Sequence, residues 1–264
     1  MKYTFGTTEI AANRLEKLAE VFNPHSSEFI KTYSGSPMVS AVDLGCGPGY
    51  TTHMLYMSVR AKEIYGMDNS DTFLYRAMDR FGHCIFVRHD LTRTPFPVKP
   101  ELMYARFILS HLADPVERIN TWSGELSPDG MLLVEEVEDI KTDIPAFKEY
   151  LSVNRGLVRS QGAKLYVGKD LAGGTYNGEV ITNEPFELAV SNSDAAAMFY
   201  PNTKTIWEKE EYVLDTTSAS QRREISEQLR ELMRNKGGNS GVTWKMRRIA
   251  LRNTEENQYL EWFI

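Results

Sequence analysis

The chain has no apolar run approaching 18 residues, no apolar h-region within MKYTFGTTEIAANRLEKL at its N-terminus, no internal repeat and no low-complexity tract. The first absence predicts no membrane span, and the second predicts no signal peptide. Cysteine is scarce: Cys46 and Cys84 are the only two in 264 residues, on separate apolar segments. Two such thiols read as reduced residues, not as a disulfide framework. Basic residues are not in excess, since 30 Lys and Arg face 36 Asp and Glu for a net charge of −6. Nucleic-acid affinity rests on neutralising phosphates, so a mildly acidic chain points away from DNA and RNA. One local basic cluster, Lys245, Arg247, Arg248 and Arg252, runs at period two and divides between the faces of a strand. The expectation is a cytoplasmic protein, monomer or homodimer, with neither membrane nor nucleic acid as partner.

What is present is an alternation of short apolar runs and helical spacings. Residues 8–22 have helical periodicity, with Ile10, Leu15, Leu18, Ala19 and Phe22 on one face. Apolar runs at 39–44, 63–68, 84–90, 101–107 and 131–137 read as strands. Helical patterns start near Thr51 and at 70–81 and 110–126, and Ser127-Pro128-Asp129-Gly130 is a turn. Strands alternating with helices predict a parallel, doubly wound α/β sheet. Further along, 145–162 is helical, 180–190 is a strand bent or broken near Pro185, 193–207 and 217–236 are helical, and 242–251 is a last, strongly alternating strand. That makes seven strands, with a helical insertion at 192–240 before the last, acting either as a lid or as a packing layer. The reading is one domain over 1–264: a helical cover at 1–30, a ligand-binding half at 35–140, and acceptor-side helices with a lid at 141–240.

The most informative stretch is SAVDLGCGPGYTT, residues 40–52. An apolar strand ends in Asp43, and Gly45, Gly47 and Gly49 follow at every second position. In a doubly wound sheet, ligands bind outside the carboxyl ends of the strands, and glycines there permit close backbone approach. Asp68 ends the second strand, 19 residues after Gly49, where a carboxylate accepts both hydroxyls of a ribose. Asp90 ends the third strand, placed to accept from the exocyclic amine of a purine. The dinucleotide fingerprint G-x-G-x-x-G needs a third glycine where Tyr50 stands, which disfavours a nicotinamide oxidoreductase. The Gly-Lys-Ser/Thr of a phosphate loop is absent. Asp43 beside the loop suits a ligand bearing an ammonium or sulfonium group, met directly or through water.

DLGCGPG (43–49), followed by YGMD (65–68), HDL (89–91) and ARFILSHLADP (105–115), resembles the class I S-adenosylmethionine-dependent methyltransferases, in particular their bacterial small-molecule branch. The likeness is strong over about 40–137 and extends weakly to both ends. DLGCGPG is specific within that family, and the later motifs are permissive. The resemblance implies a seven-stranded sheet in the order 3-2-1-4-5-7-6, the seventh strand antiparallel, with S-adenosylmethionine as cofactor. It places Gly45, Gly47 and Gly49 along the methionine and ribose, Asp68 on the ribose hydroxyls with Asn69 beside it, and Asp90 with the Leu91 backbone on the adenine. Arg106 would lie near the methionine moiety, Arg14 would reach the cofactor's carboxylate, and Tyr3 would cover it.

Methyl transfer from a sulfonium is an in-line displacement whose leaving group is already activated, so the protein chiefly positions the reactants. An oxygen or nitrogen nucleophile can also need a base. His111 after the fourth strand is one candidate, since an imidazole titrates near neutrality; its other reading is packing in a helix turn. Glu135, in a run with Glu136, Glu138 and Asp139, is the second, unless that run is a solvated rim. No ligand spacing specifies a metal, so none is expected. Met198, Phe199, Tyr200 and Trp207 would line the pocket of a small organic acceptor or serve as core. A protein that binds the cofactor on this fold without transferring methyl is the alternative of a different class.

Overall fold

A computed structural model of the chain describes residues 9–254, with residues 36, 236 and 238 excepted. Its strands are β1 (Met38–Leu44), β2 (Ala61–Asp68), β3 (Ile85–Arg88), β4 (Leu102–Arg106), β5 (Met131–Thr142), β6 (Glu179–Val190) and β7 (Val242–Arg252). They form one sheet in the order β3-β2-β1-β4-β5-β7-β6. The first five are parallel, and β7 runs antiparallel to both β5 and β6. This is the order that the family resemblance implied. The chain reverses direction across the sheet between β1 and β4, which opens a crevice beyond their carboxyl ends.

The helices are α1 (Glu9–Tyr33), α2 (Tyr50–Ser58), α3 (Asp71–Arg80), α4 (Pro115–Ser123), α5 (Pro145–Ser160), α6 (Gly168–Ala172), α7 (Asn192–Thr205), α8 (Glu211–Thr216) and α9 (Ala219–Arg234). Several boundaries differ from the sequence expectation for identifiable reasons. The helix expected at 110–126 is a 3-10 turn at Leu109–His111 and then α4. Asp114, in the left-handed region at φ 50°, separates the two, and Pro115 opens the new helix. Pro185 neither breaks nor bends the register of β6; the register shifts instead between Val180 and Thr182. An edge strand lacks a neighbour on one side, so it tolerates a residue without an N–H. β5 runs five residues beyond its expected end because β7 pairs with it to Thr142, across a bulge between Val137 and Asp139.

Buried residues gather in three clusters. Two of them lie along β1–β4 and their helices, around Trp122 and Met103 and around Tyr104 and Leu55. The third joins α1, α5, α7, α8 and α9 to β5–β7, around Phe147, Trp207 and Leu229. The helices between β6 and β7 are thus a packed layer that shares its core with α1, α5 and the β5–β7 side of the sheet. None of the described helices is long and apolar enough to cross a membrane. Cys46 and Cys84 are both free and buried.

Candidate functional site

The last residues of β1 are buried and lead straight into the glycine loop. The Gly45 and Cys46 N–H groups both donate to the Met67 carbonyl of β2, at 2.8 and 3.0 Å. The loop is therefore stapled to the neighbouring strand, beside Asp68. Asp68 Oδ2 accepts from the Gly47 N–H at 2.9 Å, and Oδ1 accepts from the Ser70 N–H at 2.8 Å. Burial raises its pKa, against the hydrogen bonds that lower it. Each carboxylate oxygen has lone pairs to spare after one such bond, so Asp68 keeps capacity for a ligand.

One continuous cavity runs from this loop to the helices of the second half. Of the predicted site residues, Arg14, Gly45, Gly47, Asp68, Asn69, Asp90, Leu91, Arg106 and His111 all line it. At the glycine-loop end, Asp90 Oδ1 accepts from the Thr92 N–H and hydroxyl, bonds that lower its pKa. The Leu91 carbonyl accepts from the Trp122 indole at 2.9 Å. The Arg106 guanidinium spans to α1, donating to Ser26 Oγ and Asn23 Oδ1, each at 2.8 Å. Tyr3 lies outside the described residues.

Three predicted residues face elsewhere. Asp43, 1% exposed, accepts the hydroxyls of Thr51 and Thr52 on Oδ2 at 2.6 and 2.7 Å. It anchors the start of α2 from behind the loop instead of meeting a cationic ligand, and burial raises its pKa to about 6. Gly49, at φ 87°, is packed from within: a Cβ there would stand 2.9 Å from Phe81 and 3.0 Å from Ala77. Glu135 accepts from Tyr104 Oη at 2.7 Å and from Arg248 Nε at 2.8 Å. It is a buried ion pair away from the cavity wall and not a base for an acceptor. The expected solvated rim is absent as well. Glu138 pairs with Lys245 and Arg247 across the bulge, so acids of β5 neutralise Lys245, Arg247 and Arg248 of the basic cluster, while Arg252 pairs with Glu179 of β6. What hid this from the sequence is that β7 lies about a hundred residues away from its partner strand.

Gly47 tests whether S-adenosylmethionine suits this loop. Its φ is 51°, and a Cβ placed there would meet only Leu15 Cδ1, at 3.7 Å. Packing within the protein does not demand a glycine at this position; the positive φ favours one, and the open space beside it leaves room for close approach of a ligand. With Asp68 and Asp90 lining the same end of the cavity, the residues present are compatible with a ribose-bearing nucleotide.

The far end of the cavity is apolar and aromatic. Tyr150 stacks on Phe199 with ring centroids 4.5 Å apart, and Phe199 stacks on Trp244 at 6.1 Å. Leu18, Leu151, Asn154, Tyr166 and Met198 complete this end. Met198 and Phe199 had been named from the sequence, but Trp207 is core. Tyr150, Tyr166 and Trp244 were missed because periodicity tells which face a residue takes, not what that face meets. His111 lines the cavity, yet burial and then the Arg14 charge push its pKa down to about 4. It is neutral at pH 7 and too weak a base to deprotonate an alcohol or phenol efficiently. Among the described residues, no three His, Cys, Asp or Glu side chains gather to hold a metal ion.

The loop carrying His111 is held by a residue whose role the sequence did not reveal. Glu136, 0% exposed, accepts the Ile108 and Leu109 N–H groups on Oε1 at 2.7 and 2.6 Å. These bonds follow Phe107, a bulky residue held at φ 59°, a conformation that persists only when its surroundings impose it. Burial raises the Glu136 pKa to about 8. The unfolded chain loses this proton near the ordinary carboxylate pKa, whereas the folded protein keeps it to about pH 8. The unfolded state thus binds fewer protons between those limits, and stability falls as pH rises through them. We expect wild-type unfolding free energy to drop by on the order of 1 kcal/mol per pH unit between pH 6.5 and 8. Glu136→Gln, which keeps the acceptor oxygen, flattens that slope; equal slopes in denaturant titrations would refute the assignment.

Comparison with known proteins agrees with this geometry. Residues 41–130 match the family described as a methyltransferase domain. The trans-aconitate 2-methyltransferase of Yersinia pseudotuberculosis serotype O:1b (strain IP 31758) is 33% identical over 99 residues, which are 37% of this chain. The chain thus matches 38% of that relative's length. Among solved structures, coclaurine N-methyltransferase bound to N-methylheliamine and SAH aligns with a TM-score of 0.55 at 14% identity, over 96% of this chain and 76% of its own. The [4+2]-cyclase SpnF aligns at 0.52 and 16% identity, over 97% and 86%. At such identities the structures speak for the fold alone. Residues 41–130 are thus similar to a methyltransferase domain, and the sheet order and the glycine loop agree with that likeness.

Proposed function

We propose that the protein transfers a methyl group from S-adenosylmethionine to an oxygen or nitrogen of a small organic acceptor. The observation that carries this reading is the single cavity joining the glycine loop, Asp68 and Asp90 to the aromatic end formed by Tyr150, Phe199 and Trp244. When bound, the cofactor supplies a methyl carbon activated by the sulfonium charge. The protein's part is to hold, align and dehydrate. Gly47 gives backbone access, Asp68 orients the ribose, and Arg106 ties the end of β4 to α1. The apolar wall excludes water from the acceptor. The named acceptor of the Yersinia relative belongs to a protein matched only in the cofactor half, so the acceptor here is read from the cavity.

A second reading is favoured by one observation: of the two bases expected, Glu135 is turned into an ion pair and His111 is weakly basic. On that reading the protein binds the cofactor on this fold without methyl transfer. Calorimetric titration with S-adenosylmethionine, S-adenosylhomocysteine and NAD comes first. Micromolar binding of the first two and none of NAD is expected. Binding of NAD alone would sink the proposal, and tight cofactor binding without product against any acceptor would leave the second reading.

A further inference from the structure

One polar group of the acceptor end has no part in the reading above. Asn202 of α7 lines the cavity and is 3% exposed. Its Nδ2 donates to Tyr150 Oη at 2.6 Å, which sets the orientation of the amide. Its Oδ1 accepts no hydrogen bond among the described residues, and it is not one of the unpartnered polar atoms that packing seals off. The other asparagine of this end, Asn154, is fully engaged. Its Nδ2 donates to the Tyr150 carbonyl at 2.8 Å, and its Oδ1 accepts the Trp207 indole N–H at 3.5 Å. Buried polar side-chain atoms nearly always find a partner, so the Asn202 oxygen stands open to whatever fills the cavity.

Around that oxygen the described wall holds no carboxylate and no effective base. The acids of the wall, Asp68 and Asp90, are at the glycine-loop end, and burial leaves His111 with a pKa of about 4. An alcohol or phenol must lose its proton to be methylated, and no group suited to take it lines this end. A carboxylate would bring its negative charge against the lone pairs of Asn202 Oδ1. A neutral amine meets neither obstacle. Its nitrogen already carries the lone pair that attacks, and its N–H is the donor that Asn202 Oδ1 lacks. Apolar surroundings disfavour the ammonium form, so the amine is held as the free base.

We propose that the acceptor is an amine on an apolar body, bound with an N–H donating to Asn202 Oδ1 and methylated on nitrogen. This rests on the S-adenosylmethionine reading. The nitrogen lone pair forms the new bond to the methyl carbon, and the carbon–sulfur bond breaks with its electron pair left on sulfur. The positive charge passes from sulfur to nitrogen, so no base takes part in the transfer, and the new ammonium gives its proton to solvent on release. The lack of an effective base, which favours a role without methyl transfer on the second reading, becomes a mark of the substrate instead. Leu18, Leu151, Met198 and Phe199 form the surface for the apolar body.

The test uses the full chain. Benzylamine, octylamine and aniline are incubated with S-adenosylmethionine beside benzyl alcohol, 4-methylphenol and phenylacetate, and the products are read by mass spectrometry across a range of pH. At least one amine should give its N-methyl product, faster than the alcohol, phenol and acid. For each methylated amine, kcat/KM should rise with pH and level off at that amine's own pKa, because the enzyme supplies no base. Asn202→Leu should raise KM for that amine about 5-fold, as loss of one hydrogen bond implies, and leave the affinity for S-adenosylhomocysteine unchanged. No methylated amine, methylation of the alcohol, phenol or acid as fast as the amines, a plateau at one pH for amines of different basicity, or wild-type KM in a folded Asn202→Leu each overturn the proposal. The comparison of acceptors and its pH profiles need only the wild type, so they stay decisive if the variant fails to fold. Failure of S-adenosylhomocysteine itself to bind in calorimetry overturns the preceding reading instead.

Discussion

Asp68→Ala is expected to lose about 10- to 150-fold in affinity for S-adenosylmethionine. A hydrogen bond to a charged group is worth roughly 1.5–3 kcal/mol, and that interval converts directly into this range. The structure adds a second consequence. The same carboxylate receives the Gly47 and Ser70 N–H groups, so the alanine variant also loosens the loop and the entry to α3. Asp68→Asn separates the two effects, since its single carbonyl oxygen can serve only one role well, and it should fall between wild type and alanine. Affinity is read by calorimetry and stability by thermal unfolding without ligand. An alanine variant that binds as tightly as wild type would remove Asp68 from the site.

The other large effect comes from the glycines, and it divides them. Gly49→Ala should destabilise the fold by about 2–5 kcal/mol: roughly 1–2 for a side chain in the left-handed region and 1–3 for overpacking against Phe81 and Ala77. Gly47→Ala incurs only the first of these costs, because its Cβ meets nothing closer than Leu15. Its larger loss should be cofactor affinity, as the methyl group fills the space that a ligand would use. Denaturant midpoints and titrations of both variants check this. If Gly47→Ala binds normally, or Gly49→Ala is as stable as wild type, the division is wrong.

These residues also show how far the sequence could be read. The placement of the loop at 45–49 and of the acids at 68 and 90 was legible because β1 to β3 are parallel neighbours close in sequence, and each ends at the cavity. The acids of β5 were not legible. Glu135 and Glu138 are defined by Arg248, Arg247 and Lys245, and an antiparallel partner that arrives after a long helical excursion leaves no local trace. Glu136 was hidden for a related reason, since its hydrogen bonds go to main chain in another loop. Alternation in 242–251 told that Trp244 belonged to a strand. It could not tell that the indole would form part of a cavity wall. Arg14 entered through family likeness, for helical spacing alone marks it only as one polar residue of a cover helix.

The ion pairs between β5 and β7 bear on how this scaffold can be recombined. The segment similar to the methyltransferase domain stops at residue 130, immediately before β5, which makes the turn there an obvious crossover point for chimaeras that exchange the second half of the chain. A chimaera that inherits β5 from one parent and β7 from another would strand Glu135 and Glu138 in the interior. Breaking a buried pair typically costs about 3–5 kcal/mol, enough to unfold a marginal hybrid. The exchangeable unit is therefore the whole stretch from β5 through β7, inherited as one block.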